Sequence, residues 1–275
     1  MRVIGALWLR NLKAFFRNRT VLVFSLLFPL LFIYIFSGIF RLDYIENPLA
    51  FMIAGIIIMV VFESAVRIAS STIDDMTGGF MKEVLVSPVS RVDIAIGQFI
   101  SSATIATIQA LIIYSIGLFL GLSLTPLALL LAIPAMIFVG LVFSGFGLFL
   151  ATKAKDIQTF QAITMAIMMP LMFISGAYIP LSLLPMEIQW VAYFNPMTYA
   201  VVLFRVIALG KFGLSDPELL AEGLAIEMGG FIIGPIIAAV ILAVFGILFL
   251  ILSTISFMRT DFSKMNRNKN DSLEF

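Results

Sequence analysis

Long apolar runs, broken by short polar interruptions, set the organisation of this chain. Thr20 to Phe40 is an uncharged run of spanning length. Pro48 opens a second run that continues past Arg67. Ile94 to Thr152 carries no charge at all and is too long for one helix, so it predicts two spans joined at Gly121 to Pro126. A fifth span is predicted from about Ile157 to Tyr178, and a last one from Gly229 to Met258. The stretch from Pro180 to Gly210 is apolar but interrupted. Pro185 can open a helix through Phe194, Asn195 can cap a second with Pro196 at its first position, and Gly210 stands just past the end. Neither piece spans comfortably, so both are read as short re-entrant helices over 180–210. The predicted fold is therefore all-α and integral to the membrane: a single transmembrane domain over 1–275 with six spans and two short helices before the last.

The two ends are basic. Residues 1–19 form an amphipathic segment, with Arg10, Lys13 and Arg17 at helical spacing against Trp8, Leu9, Leu12, Phe15 and Phe16. Such a helix lies in the membrane interface. The run after it is too long for a signal peptide and lacks a cleavage pattern, so it is read as a retained span. The tail at 259–275 carries Arg259, Lys264, Arg267 and Lys269. With six spans and both termini inside, every Lys and Arg except Arg41, Arg205 and Lys211 faces the cytoplasm, while Lys211 to Glu227 is an acidic outer loop.

Composition agrees and removes several chemistries. Apolar residues make up 61% and charged residues 12% of the 275, beyond what a soluble domain of this size could bury. The sequence has neither cysteine nor histidine, which removes disulfides, thiol nucleophiles and the commonest metal ligand. No GxxxxGK[ST] loop is present, so the chain is expected to bind no ATP by that mechanism and to carry no catalytic, cofactor or metal site. A net charge of +1 gives no reason to expect nucleic acid.

The candidate chemistry lies in three places. Ser71 to Asp93 is the one substantial polar stretch between apolar runs. Gly78-Gly79 interrupts any arriving helix, Phe80 to Val86 can form about two turns, and Pro88 ends them. Ser90 then stands three residues before Asp93 as the start of the next helix. Second, Glu63 is the one acid well inside an apolar segment, with Arg67 one turn on. The spacing allows an ion pair at the interface, with a transport role as the alternative. Third, the fifth span is polar at Gln158, Thr159, Gln161 and Thr164. It then carries Met165, Met168, Met169 and Met172 at helical spacing. Flexible thioethers suit a surface that accepts varied apolar ligands, and ordinary helix packing is the competing account.

Two stretches carry a family resemblance. EVLVSPVSRVDIAIGQ, Glu83 to Gln98, resembles the first cytoplasmic loop of ABC-2 type permeases, the membrane subunits of ATP-driven exporters. SGAYIPLSLLPMEIQWVAYFNPMTYAVVLFRVIALG, Ser175 to Gly210, resembles that family's region before its last span. The resemblance implies a dimer with an identical or different permease subunit, and two copies of a separate ATPase that hold ATP and Mg. Phe80, Met81, Lys82, Glu83 and Val84 would dock that ATPase from the loop at 71–93. Residues 1–19 would be the elbow helix, and Gln161, Met165, Met168 and Met172 would face the substrate path. The implied location is the cell membrane, with both termini cytoplasmic. The implied activity is export of a hydrophobic or amphipathic drug, antibiotic or lipid. Lipid-linked polysaccharide export, an ATP-independent transporter or channel, and a scaffold without transport are the alternatives.

Overall fold

A computed structural model describes residues 2–37, 47–77 and 90–259. The predicted docking residues Phe80 to Val84 and the basic tail beyond Arg259 lie outside the described residues. The helices in chain order are α1 (Arg2–Arg17), α2 (Arg19–Ser37), α3 (Pro48–Ile68), α4 (Ser70–Thr77), α5 (Arg91–Phe119), α6 (Pro126–Lys153) and α7 (Ile157–Ile174), followed by α8 (Met186–Tyr193), α9 (Pro196–Leu209), α10 (Asp216–Ala221) and α11 (Pro235–Arg259). Five helices are long and apolar enough to cross a membrane, and the number rises to seven if the bent pairs α1–α2 (74°) and α8–α9 (87°) each count as one span. The molecule is thus a mainly helical, multi-pass membrane protein.

Local chemistry places most of the helix starts. Asn47 accepts from Ala50 N at 3.1 Å ahead of Pro48, and Thr125 accepts from Ala128 N at 3.3 Å ahead of Pro126. Ser90 accepts from Asp93 N at 3.2 Å to start α5. Asn195 accepts from Met197 N at 2.9 Å to start α9. In each case a short polar side chain satisfies an amide that the first turn leaves unpaired. Gly210 closes α9 in the left-handed conformation, φ 69°, as the sequence predicts.

The core of the bundle is α3. It packs on α5, α6 and α9, while α6 packs on α5 and α11. Small residues let these backbones approach: a Cβ on Gly147 would stand 2.7 Å from Val66 Cα, and one on Gly140 would stand 3.2 Å from Ala103 Cα. At one end, α1 lies across α5. Leu7 is buried with Ile94, Phe99 and Phe257, Asn11 Nδ2 donates to Gln98 Oε1 at 2.8 Å, and Trp8 Nε1 donates to Thr104 Oγ1 at 3.1 Å. The docking face of α1 is therefore Leu7, Trp8 and Asn11, whereas Leu9 and Phe16, predicted on its apolar side, remain exposed.

The opposite end is capped, and here the sequence expectation of a span starting at Gly229 does not hold. The apolar run from Gly229 does not begin a span. Ile226–Met228 (β1) and Phe231–Ile233 (β2) pair antiparallel around Gly229-Gly230, and the helix starts only at Pro235. Both glycines have positive φ, 59° and 86°, as a type I′ hairpin turn requires. The loop before it contains α10, whose start is held by Ser215 and Glu218 in a capping box. Its only ion pair among the described residues is Lys211 Nζ with Glu222 Oε2 at 3.0 Å.

Candidate functional site

Two places in the fold put polar chemistry among apolar helices. The first is the one open position of α3. From Ala50 to Val66 this helix is buried at every position except Glu63. Its neighbours α2 and α7 both touch α3 and leave wide apolar faces uncovered. Phe24, Phe28 and Leu31 are exposed on α2, and Met165, Met169 and Phe173 are exposed on α7. Rings link the two helices toward the capped end: Phe32 lies 4.7 Å from Tyr178, which lies 5.5 Å from Phe173. Glu63 is close enough to Tyr178 to act on it electrostatically.

Arg67 does not pair with Glu63. Its Nη2 lies 3.4 Å from Ser64 Oγ. Ser64 in turn donates to Gln109 Oε1, and Gln109 Nε2 donates to Ser25 Oγ. This chain of side chains joins α3, α5 and α2, and it satisfies polar groups that lipid could not. The predicted pair is thus replaced by two separate arrangements, Arg67 joined to a neutral network and Glu63 facing outward.

The predicted methionine stripe also splits. Met168 is buried against the core and Met172 is partly covered, while Met165 is 64% exposed and Gln161 is exposed beside it. A spacing of three and then four residues spreads side chains over an arc wide enough to reach both the bundle and its outside. Gln161 and Met165 therefore share the open side of α7, and Met168 is a core residue.

The second place lies under the cap. Arg205 was read from sequence as a charge on the outer surface. It is instead 3% exposed, on the largely buried helix α9. Its Nη2 donates to Gly176 O at 3.1 Å and Ala177 O at 2.8 Å, and its Nε donates to Phe51 O at 3.3 Å. The guanidinium also stacks on the Phe51 ring, 3.5 Å from its centroid. The carbonyls just past α7 cannot pair within that helix, so Arg205 supplies the missing donors. Gly55 makes the approach possible, because a Cβ there would stand 2.1 Å from Ala177 O.

Arg205 also lines a cavity of about 540 Å³ between α8, α9 and the hairpin. Trp190 and Tyr193 form part of its wall, in edge contact at 5.6 Å, and Tyr193 OH donates to Glu227 O at 2.6 Å, tying α8 to the hairpin. The visible signals for these residues were Arg205, the one charge in VVLFRVIAL, and Gln109, the one amide in IATIQALII. No group of three or more Asp or Glu is placed to hold a metal among the described residues.

Comparison with known proteins gives the chain its relatives. The sequence model of the ABC-2 type transporter family matches residues 2–209. The transport permease ycf38 of Cyanophora paradoxa is 28% identical over 199 residues, covering 70% of this chain and 69% of that protein. Nodulation protein J of Rhizobium leguminosarum bv. viciae is 30% identical over 128 residues, 46% of this chain and about half (49%) of its own length. A probable multidrug ABC transporter permease of Escherichia coli K12, YbhR, is 26% identical over 160 residues, 58% of this chain and 44% of its own.

Proposed function

Because the chain belongs to the ABC-2 type transporter family, we propose that it is the membrane subunit of an ATP-driven exporter and carries a hydrophobic or amphipathic substrate. The observation that carries this reading is an unfinished surface: α2 and α7 both pack on α3 and leave apolar faces uncovered, and Glu63 of α3 is exposed. A second permease subunit facing that side would enclose a path lined by Glu63, Gln161, Met165 and the aromatic rings of α2. In this reading ATP and Mg belong to a separate ATPase, in two copies for a dimeric permease. The multidrug name of one relative favours a drug-like cargo.

In this reading the spans are α2, α3, α5, α6, α7 and α11, while α8 and α9 are re-entrant and roof the path. Both termini and the loop from Ser71 to Asp93 face the cytoplasm of a cell membrane, and the capped end faces outward. ATP binding shifts the permease only if the ATPase contacts its two states differently. The loop at 71–93 is the contact point: α4, on its entry side, packs on α6 and α7, and α5 begins on its exit side. Phe80, Met81 and Val84 supply an apolar anchor there, and Lys82 and Glu83 supply charge.

Copurification tests the reading. The permease should bring down an ATPase whose hydrolysis rises with amphipathic compounds. Glu83→Lys should lose that association while the permease still folds. A permease that purifies folded with no ATPase, and moves substrate in vesicles without ATP, would overturn it. Topology is checked separately, since the native chain has no cysteine. An impermeant thiol reagent applied from outside should label Glu222→Cys and spare Lys155→Cys.

A further inference from the structure

The clamp on the α7 carbonyls explains only part of Arg205. Nε and Nη2 are committed to Phe51, Gly176 and Ala177, but no protein group partners Nη1 among the described residues. Among the described residues no carboxylate forms an ion pair with it, and the nearby Glu222 is paired with Lys211. A guanidinium this deeply buried, with one nitrogen unpartnered and a cavity against it, has donors and charge left for a ligand.

The rest of the cavity says what kind of ligand. Its volume of about 540 Å³ falls within the usual range for small-molecule sites. Ser175, Ser182 and Gln189 also line it and make its wall partly polar. Toward solvent the wall turns apolar and open, with Trp190 52% exposed and Met186 68% exposed. Glu227 is the one acidic residue that lines it, and it is itself exposed. The arrangement is a buried cation beneath an apolar, half-open mouth. We infer that this cavity is a binding site for the anionic head group of an amphipathic molecule, with the head on Arg205 and the apolar portion passing out between Met186 and Trp190. The site stands apart from the proposed export activity, because it needs neither ATP nor a partner subunit to be occupied.

Trp190 reports on its own pocket. Trp8 is the second of the chain's two tryptophans, so a Trp8→Phe protein in an uncharged maltoside detergent isolates the Trp190 signal. Dioctanoyl phosphatidate should change that fluorescence saturably. Dioctanoylglycerol, which has the same tails without the phosphate, should bind about tenfold more weakly or not at all, and inorganic phosphate alone should do no better. Arg205→Gln should lose about tenfold in phosphatidate affinity. Since that change also releases the α7 carbonyls, Ser182→Phe provides a second variant. Ser182 is exposed at the rim, and the larger ring should block binding with the thermal unfolding temperature unchanged. Glu227→Gln should tighten phosphatidate about twofold by removing a repulsive charge. Equal responses to phosphatidate and dioctanoylglycerol would overturn the anionic head. Equal responses to phosphatidate and inorganic phosphate would overturn the amphipathic ligand. Unchanged phosphatidate binding in folded Ser182→Phe would overturn the pocket.

Discussion

Glu63 on α3 and Arg205 on α9 are both charges set in mostly apolar helices, yet the fold surrounds them in opposite ways. Three carbonyls and an aromatic ring hold Arg205 in place. Glu63 is the one position of α3 between Ala50 and Val66 that is left open. Burying a charge costs several kcal/mol unless fixed dipoles replace its water. Arg205 meets that requirement within one subunit, so it can serve as structure. Glu63 does not, and its surroundings must be completed by water, by a second subunit or by what passes along the proposed path. Difference in closure, more than difference in sign, separates a charge whose surroundings the fold mostly supplies from one whose surroundings it leaves open.

The largest effect should come from breaking the fastened side. Gly55→Val would drive side-chain atoms into the Ala177 carbonyl, a backbone group with little room to yield, and should leave little folded protein by size-exclusion profile. Arg205→Met keeps the bulk but leaves three carbonyls without a donor. At roughly 1–3 kcal/mol for each buried group left unsatisfied, it should lower the thermal unfolding temperature strongly. A wild-type temperature would mean the clamp is dispensable.

Next in size is the neutral network beside Glu63. Gln109→Leu removes the partner of both Ser64 and Ser25, and should cost on the order of 1–3 kcal/mol. Glu63→Gln should by contrast change stability by less than about 0.5 kcal/mol. Its effect should appear in transport, as weaker stimulation of ATPase activity by cationic amphiphiles than by neutral ones. A large loss of stability in Glu63→Gln would put that carboxylate in the same class as Arg205.

The smallest effect calibrates the others with a charge in open water. Asp156 caps α7 through Thr159 N at 2.6 Å, and that hydrogen bond is the main cause holding its carboxyl below the ordinary aspartate range. A lowered folded-state pKa means the contribution is complete above the unfolded value and fades as pH falls through the folded one. Asp156→Asn keeps a capping oxygen without a titrating group. Its melting temperature should therefore fall slightly less than the parent's between neutral and acidic pH.

The sequence was most legible where a helix begins or ends through its own side chains. Asn195 with Pro196, Gly210, Ser90 before Asp93 and the break at Gly121 all fall where local chemistry places them. It was least legible where a local signal had to compete with a global one. Gly229-Gly230 is a strong hairpin signal, yet the apolar residues after it also fit the start of a span, and length of hydrophobic run prevailed. Arg205 was misplaced for a related reason. Counting basic residues by loop assigns each one to a side of the membrane, and nothing local to VVLFRVIAL announces three acceptor carbonyls that come from residues 51, 176 and 177. Glu63 and Arg67 have pairing distance along the helix, but Ser64 and a glutamine on another span offered Arg67 a different neighbour.

One consequence of the Arg205 contact concerns α7 as a mechanical part. Near the cap this helix is held at several points: Asn195 Nδ2 donates to Leu171 O at 2.7 Å, Ser175 is buried, and the next two carbonyls are gripped by Arg205. Toward Ile157 the only fully buried side chain is Phe160. Such a helix is a lever with its fulcrum under the cap. Its 18 residues give an arm of about 27 Å at 1.5 Å per residue. A swing of roughly 10° would then displace the far end by about 5 Å, next to α4, while the residues around Arg205 barely move.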